Sequence, residues 1–80
     1  MKKIEVISID RIGLVGEISK ILSRVNGNII THTANVSSDG ITNISHFSAD
    51  VDLNNALDNE TLLRRLKKIK NVRQVKITDI

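Results

Sequence analysis

His32 and His46 are the only histidines in a chain of 80 residues that has no cysteine, tryptophan or tyrosine. They are therefore the first place to look for metal or proton chemistry. A hairpin turning at Asp39-Gly40 would set the two imidazoles across adjacent strands. Such a pair could bind a transition metal or sense pH, but two ligands make a poor site unless a second copy adds more. The plainer alternative is that both are sheet-surface or interface residues. No metal site and no cofactor is assigned. The residues available assemble neither a nucleophile with its base nor a paired acid and base. Phosphate-loop and dinucleotide glycine patterns are also missing. The chain is expected to carry no catalytic site of its own.

Two further groupings could bind rather than react. The first is the turn Asp10-Arg11-Ile12-Gly13, where Asp10 is expected to cap the free amides of a helix and Gly13 to allow a tight backbone. The second is a run of cations, Arg64, Arg65, Lys67, Lys68, Lys70, Arg73 and Lys76, with no acid among them. Asp50, Asp52, Asp58 and Glu60 cluster just before it. The run could meet an acidic partner or RNA phosphates, or could simply be a solvated helix face and strand edge. Base stacking in the manner of aromatic RNA-binding sheets is not supported, because Phe47 is the single aromatic residue.

These groups need elements to position them. Lys3 to Ile9 reads as a strand, with Ile4 and Val6 on one face and Ile7 and Ile9 on the other, as in a central strand. Leu14, Val15, Ile18, Ile21, Leu22 and Val25 form one helical stripe opposite Glu17, Lys20 and Arg24, with Glu17 and Lys20 an expected i,i+3 pair. Asn26-Gly27 stops that helix. A second strand spans Asn28 to Ser37, and Asp39-Gly40 is expected as a two-residue type I′ turn. A third strand, Ile41 to Val51, puts Ile41, Phe47, Ala49 and Val51 on one face. After a polar connection from Asp52 to Asn59, Leu62, Leu63, Leu66 and Ile69 mark a second helix over Glu60 to Ile69. Asn71 ends it, and Val72 to Ile77 closes the chain as a strand.

The order β-α-β-β-α-β predicts an α+β, ferredoxin-like fold: a four-stranded antiparallel sheet with two helices on one face. The other sheet face, expected to bear Ile, Thr, Ala and Val, would then need a cover, and a second copy or another domain is the natural candidate. The length allows one domain, residues 1–80, with a core built from Ile, Val and Leu. Such a core leaves roughly 3–5 kcal/mol of net stability, which burial in an oligomer would supplement. The apolar runs are far shorter than the ~20 residues that span a bilayer. No membrane contact and a cytoplasmic location are expected.

The segment Asp10-Arg11-Ile12-Gly13-Leu14-Val15-Gly16-Glu17-Ile18, followed by Ile21-Leu22 and Gly27-Asn28-Ile29, resembles the ACT domain signature. The likeness runs through the closing Asn71-Val72-Arg73-Gln74-Val75. It implies a regulatory, non-catalytic domain. In amino-acid-binding members it implies a ligand between two domains, held by the first turn and the start of the second strand. The corresponding positions here are Ser8, Asp10 and Asn28, with the backbone amides of Ile12, Gly13 and Leu14 nearby. Asp10 stands where such members commonly have Asn, and its carboxylate would repel a ligand carboxylate while attracting an ammonium. Ser8 stands where some have a longer polar side chain. The pattern is most similar to the C-terminal ACT domain of RelA/SpoT-type (p)ppGpp synthetase/hydrolases, the GTP pyrophosphokinases of the stringent response. That likeness implies allosteric control of distant catalytic domains through dimerisation or through contacts with other domains of the parent chain, ribosome or tRNA. The same features fit a free-standing ACT protein that senses a small amino acid at a dimer interface.

Overall fold

In the computed structural model, which describes residues 1–53 and 58–80, the chain runs β1 (Lys2–Ile9), α1 (Leu14–Arg24), β2 (Gly27–Ser38), β3 (Asn43–Leu53), α2 (Asn59–Lys67) and β4 (Val72–Asp79). All four strands pair antiparallel in the order β2-β3-β1-β4. This is the ferredoxin-like βαββαβ arrangement. The middle of the polar connection expected over Asp52 to Asn59 lies outside the described residues.

The core follows from alternation on the strands and the apolar stripes on the helices. Ile4 and Val6 of β1, Phe47, Ala49 and Val51 of β3 and Val75 of β4 point to the side that α1 and α2 cover with Leu14, Ile18, Leu22, Leu62 and Leu66. Asn26 adopts a left-handed conformation (φ 59°) and turns the chain out of α1. Gly27 then enters β2 so close to its neighbours that a Cβ there would lie 2.9 Å from a Leu53 methyl and 3.0 Å from the Leu22 carbonyl oxygen. Helix α2 is capped by Asp58, whose Oδ1 accepts from the Thr61 amide at 2.7 Å.

Three local expectations fail. The β2–β3 connection is not a two-residue turn. It is a four-residue loop, Asp39 to Thr42, because the Asp39 carboxylate gathers the amides of Ile41 (2.9 Å) and Thr42 (2.7 Å) in an Asx-type turn. Ile41 consequently sits in the loop at 95% exposure, and the strand register shifts. His32 now faces Ala49, and His46 faces Asn35. The two imidazoles lie on opposite faces of the sheet: His32 stacks against Phe47 (ring centroids 6.0 Å apart), and His46 is 3.3 Å from the Ser37 hydroxyl. They are not a pair.

The second failure concerns the open face of the sheet. Ala34 and Ala49, Val36 and Val51 belong to the helix side, so the open side carries Lys3, Glu5, Ile7, Ile9, Ile44, His46, Ser48, Asp50, Thr31 and Thr33. A Thr31–Asp50 hydrogen bond (3.2 Å) ties two of these together. That face is mostly polar, with Ile7, Ile9 and Ile44 as the aliphatic side chains of β1 and β3 on it. The third failure is the start of α1, which is taken up next.

Candidate ligand-binding turn and basic face

Helix α1 begins at Leu14, and its N-cap is Gly13 in a left-handed conformation (φ 86°, ψ −3°) with no capping side chain. Asp10 therefore does not cap the helix. Its backbone is bound instead to the sheet, donating to the Asn43 carbonyl at 2.9 Å, and its exposed side chain is left outside the turn. The chain must climb from β1 to the helix layer over Arg11, Ile12 and Gly13, and this delays the helix by a turn. The amides without intrahelical acceptors are accordingly those of Leu14, Val15 and Gly16. Leu14 N–H makes only a long contact of 3.4 Å to the Arg11 carbonyl. Ile12 is fully exposed at the tip.

Arg11 holds this turn in place, a role not anticipated from the sequence. Its Nη2 meets Glu17 Oε2 at 2.5 Å, and its Nε donates to the Lys70 carbonyl at 3.3 Å. One side chain thus links the turn, α1 and the segment after α2. Glu17 is spent on Arg11 and does not form the expected pair with Lys20. A spacing of six between the partners matches no helical or strand period, so only the folded chain reveals the contact.

The remaining candidates are dispersed. Ser8 is fully buried at the end of the β1 core face, beside Ser45 on β3, and its hydroxyl donates to the Ile9 carbonyl at 2.9 Å. Asn28 is exposed at the start of β2, paired with Asp52. The register places Asn28 level with the beginning of β1 and the Asp10 turn beyond its end. About 25–30 Å of strand separates them. Within one copy, the first turn and the start of the second strand do not meet.

The basic run divides as well. Arg64, Arg65, Lys67 and Lys68 are exposed on and just after α2, and Lys70 follows in the next turn. Arg73 and Lys76 belong to β4, where Lys76 pairs with Glu5 of β1. Among the described residues, no group of three or more His, Asp and Glu side chains is placed to hold a metal, and no helix is long and apolar enough to cross a membrane.

The chain is a small ferredoxin-like domain with an uncapped, glycine-opened turn before α1. The family profile of the ACT domain matches residues 2–76, and the chain belongs to that family. ACT domains are regulatory, non-catalytic units, and the role of this chain is regulatory. Among solved structures it is similar to the ACT domain from GTP pyrophosphokinase of Chlorobium tepidum, at TM-score 0.73 and 25% identity over 96% of this chain and 95% of that one. An ACT domain protein from Streptococcus pneumoniae gives TM-score 0.77 at 20% identity, covering 96% of this chain and 85% of that chain. A formyltetrahydrofolate deformylase from Pseudomonas putida KT2440 gives TM-score 0.82 at 9% identity, and there the match covers 99% of this chain but 28% of the larger one. The last two show the fold alone. No curated protein matches.

Proposed function

We propose that this ACT domain is a regulatory unit of a GTP pyrophosphokinase-type chain and that it works as a pair, joined through the β2 edges of two copies. The observation that carries the pairing is β2 itself. It is a twelve-residue edge strand, Gly27–Ser38, without one charged residue or proline, and Ile30 and Val36 on it are 51% and 56% exposed. An edge with no such guard is a template for another strand. The likeness to the Chlorobium tepidum domain at 25% identity supports the parent.

Pairing would also complete the ligand site. Two β2 strands aligned antiparallel about a two-fold axis put the partner's Asn28 beside Ser37. That row already holds Ile44 and Ile9, next to Asp10. Three strand spacings, about 14 Å, then separate the β1 backbone from the partner's β2, a gap filled by two side chains and a small ligand. Ser8 has no place in this site, because it is buried and its hydroxyl is used. Regulation follows if a ligand binds the paired arrangement more tightly than the separate one.

Sedimentation over a range of concentrations tests the pairing. The reading requires a concentration-dependent dimer that Val36→Lys converts to monomer; a wild-type chain that stays monomeric at about 1 mM contradicts it, since an interface of regulatory use must form in that range. A second reading, a free-standing amino-acid sensor, gains from the freed carboxylate of Asp10, which is available to a ligand ammonium. Chemical-shift mapping with each of the twenty amino acids separates the two. Millimolar ligand that leaves Asp10 to Gly16 unmoved removes the sensor.

A further inference from the structure

On the side of the molecule away from the open sheet face, α1 and α2 do not close over one another. A groove of about 380 Å³ runs between them and continues into an adjoining hollow of about 290 Å³ that shares Ile21, Arg24, Arg65 and Lys68. Lys20 and Arg24 rise from α1 on one side, and Arg65 and Lys68 from the end of α2 on the other, with Lys70 just beyond. Half-buried Ile21 and Ile69, 8% exposed, form the floor. Glu17 is the one acid on the lining, and Arg11 already engages it. Among the described residues, none of the five groove cations is in an ion pair.

From this we infer that the α1–α2 groove is a docking site for an acidic amphipathic helix from a partner segment, seated independently of any pairing at β2. The chemistry selects the occupant. Five cations line the groove from both helices, and an anionic partner offsets their mutual repulsion. An aliphatic floor between the basic rims asks for an aliphatic anchor, which a peptide helix presents at every third or fourth residue with carboxylates on either side. A nucleic acid strand offers phosphates to the rim but has nothing for Ile21 and Ile69, and the groove has no aromatic ring on which a base could stack. The lining comes from both helices, and a third helix can pack against two others at the usual spacing of about 8–10 Å. The one acidic cluster of this chain, Asp50, Asp52, Asp58 and Glu60, lies on β3 and at the start of α2, so the segment comes from elsewhere.

The test uses the isotopically labelled 80-residue chain and a synthetic helical peptide of about 18 residues, with Leu on one stripe and Glu flanking it. Two competitors are the same peptide with Ser in place of Leu and an oligouridylate of similar length. The expected result is that the Leu–Glu peptide shifts the amide signals of Ile21, Arg24, Arg65, Lys68 and Ile69. It should also bind roughly tenfold or more tightly than either competitor and keep part of its affinity at about 0.5 M salt, because screening removes only the charge contribution. The pair Arg24→Glu and Arg65→Glu should weaken it at least roughly tenfold, and Arg24→Gln with Arg65→Gln serves if charge reversal perturbs the fold. Absence of those shifts at about 1 mM peptide overturns the inference. Equal or tighter binding by the Ser peptide or the oligouridylate overturns it too, in favour of a charge-only or RNA-docking surface.

Discussion

At the scale of single residues, the first turn is shaped by backbone geometry more than by side-chain chemistry. Gly13 and Gly16 are three residues apart, have open space where a Cβ would go, and should nevertheless answer oppositely to alanine. At Gly13 the φ of +86° is costly for any L side chain, so Gly13→Ala should destabilise the chain by about 1–2 kcal/mol. Gly16 lies inside α1 with ordinary helical geometry, and Gly16→Ala should stabilise by roughly 0.5–1 kcal/mol in urea unfolding. A loss at Gly16 would mean that something outside the chain occupies the space above it. Aspartates form the other residue-scale device. Asp39 is held below its ordinary pKa of 3.8 by amide hydrogen bonds from Thr42 and Ile41, Asp58 by Thr61, and Asp79 by the Lys2 ammonium. A carboxylate with a depressed folded pKa contributes stability that is present above the unfolded value and lost as pH falls through the folded one. Thermal stability should therefore hold above about pH 4 and decline below it, with a shallower decline in the triple Asn variant of these positions. A flat profile between about pH 4 and 2 would contradict the assignment.

Elements were legible in the sequence wherever periodicity and burial coincide. The stripes Leu14, Ile18, Leu22 and Leu62, Leu66 and the alternation of Ile4 and Val6 give both helices and the central strand because the core consumes those very residues. What the sequence hides is decided by a single polar group acting out of period. The Asp39 carboxylate converts a two-residue turn into a four-residue loop, which moves both histidines to new partners. Arg11 reaching Glu17 and the Lys70 carbonyl likewise has no local signature. The α2 cap is concealed differently: in the sequence Asp58 falls in an acidic cluster, although it stands just before the helix it starts. Asp58→Ala should lower the melting temperature by roughly 4–8 °C, the usual consequence of losing one cap from a domain of this size. In the core, Leu66→Ala should cost about 2–5 kcal/mol, enough to unfold much of the population of so small a domain. Circular dichroism melts check both.

For the whole molecule, the sheet is unfinished at one edge. The open face is mostly polar, and the helix face is filled along β1, β3 and β4. Strand β2, by contrast, extends its uncharged length with Thr31 through Ser38 all exposed. The candidate residues Asp10 and Asn28 lie at opposite ends of one copy, yet antiparallel pairing of two β2 edges would make them neighbours. Under the proposed pairing, ligand occupancy would couple to association, because Asp10 and Asn28 of one copy are too far apart to share a ligand. The basic α1–α2 groove lies on the helix side, away from the β2 edge, so the proposed pairing would leave it open.

Because the chain has no cysteine, Asn28→Cys gives one site for a nitroxide label. Mixing that labelled chain with unlabelled, isotopically enriched chain allows broadening to be read only between copies. Pairing through β2 predicts broadening that is strongest at Ser37 and Ile44 and extends to Ile9 and Asp10, growing with concentration and abolished by Val36→Lys. Sharp signals at Ser37, Ile44 and Asp10 at about 1 mM would contradict a site completed across the β2 edges.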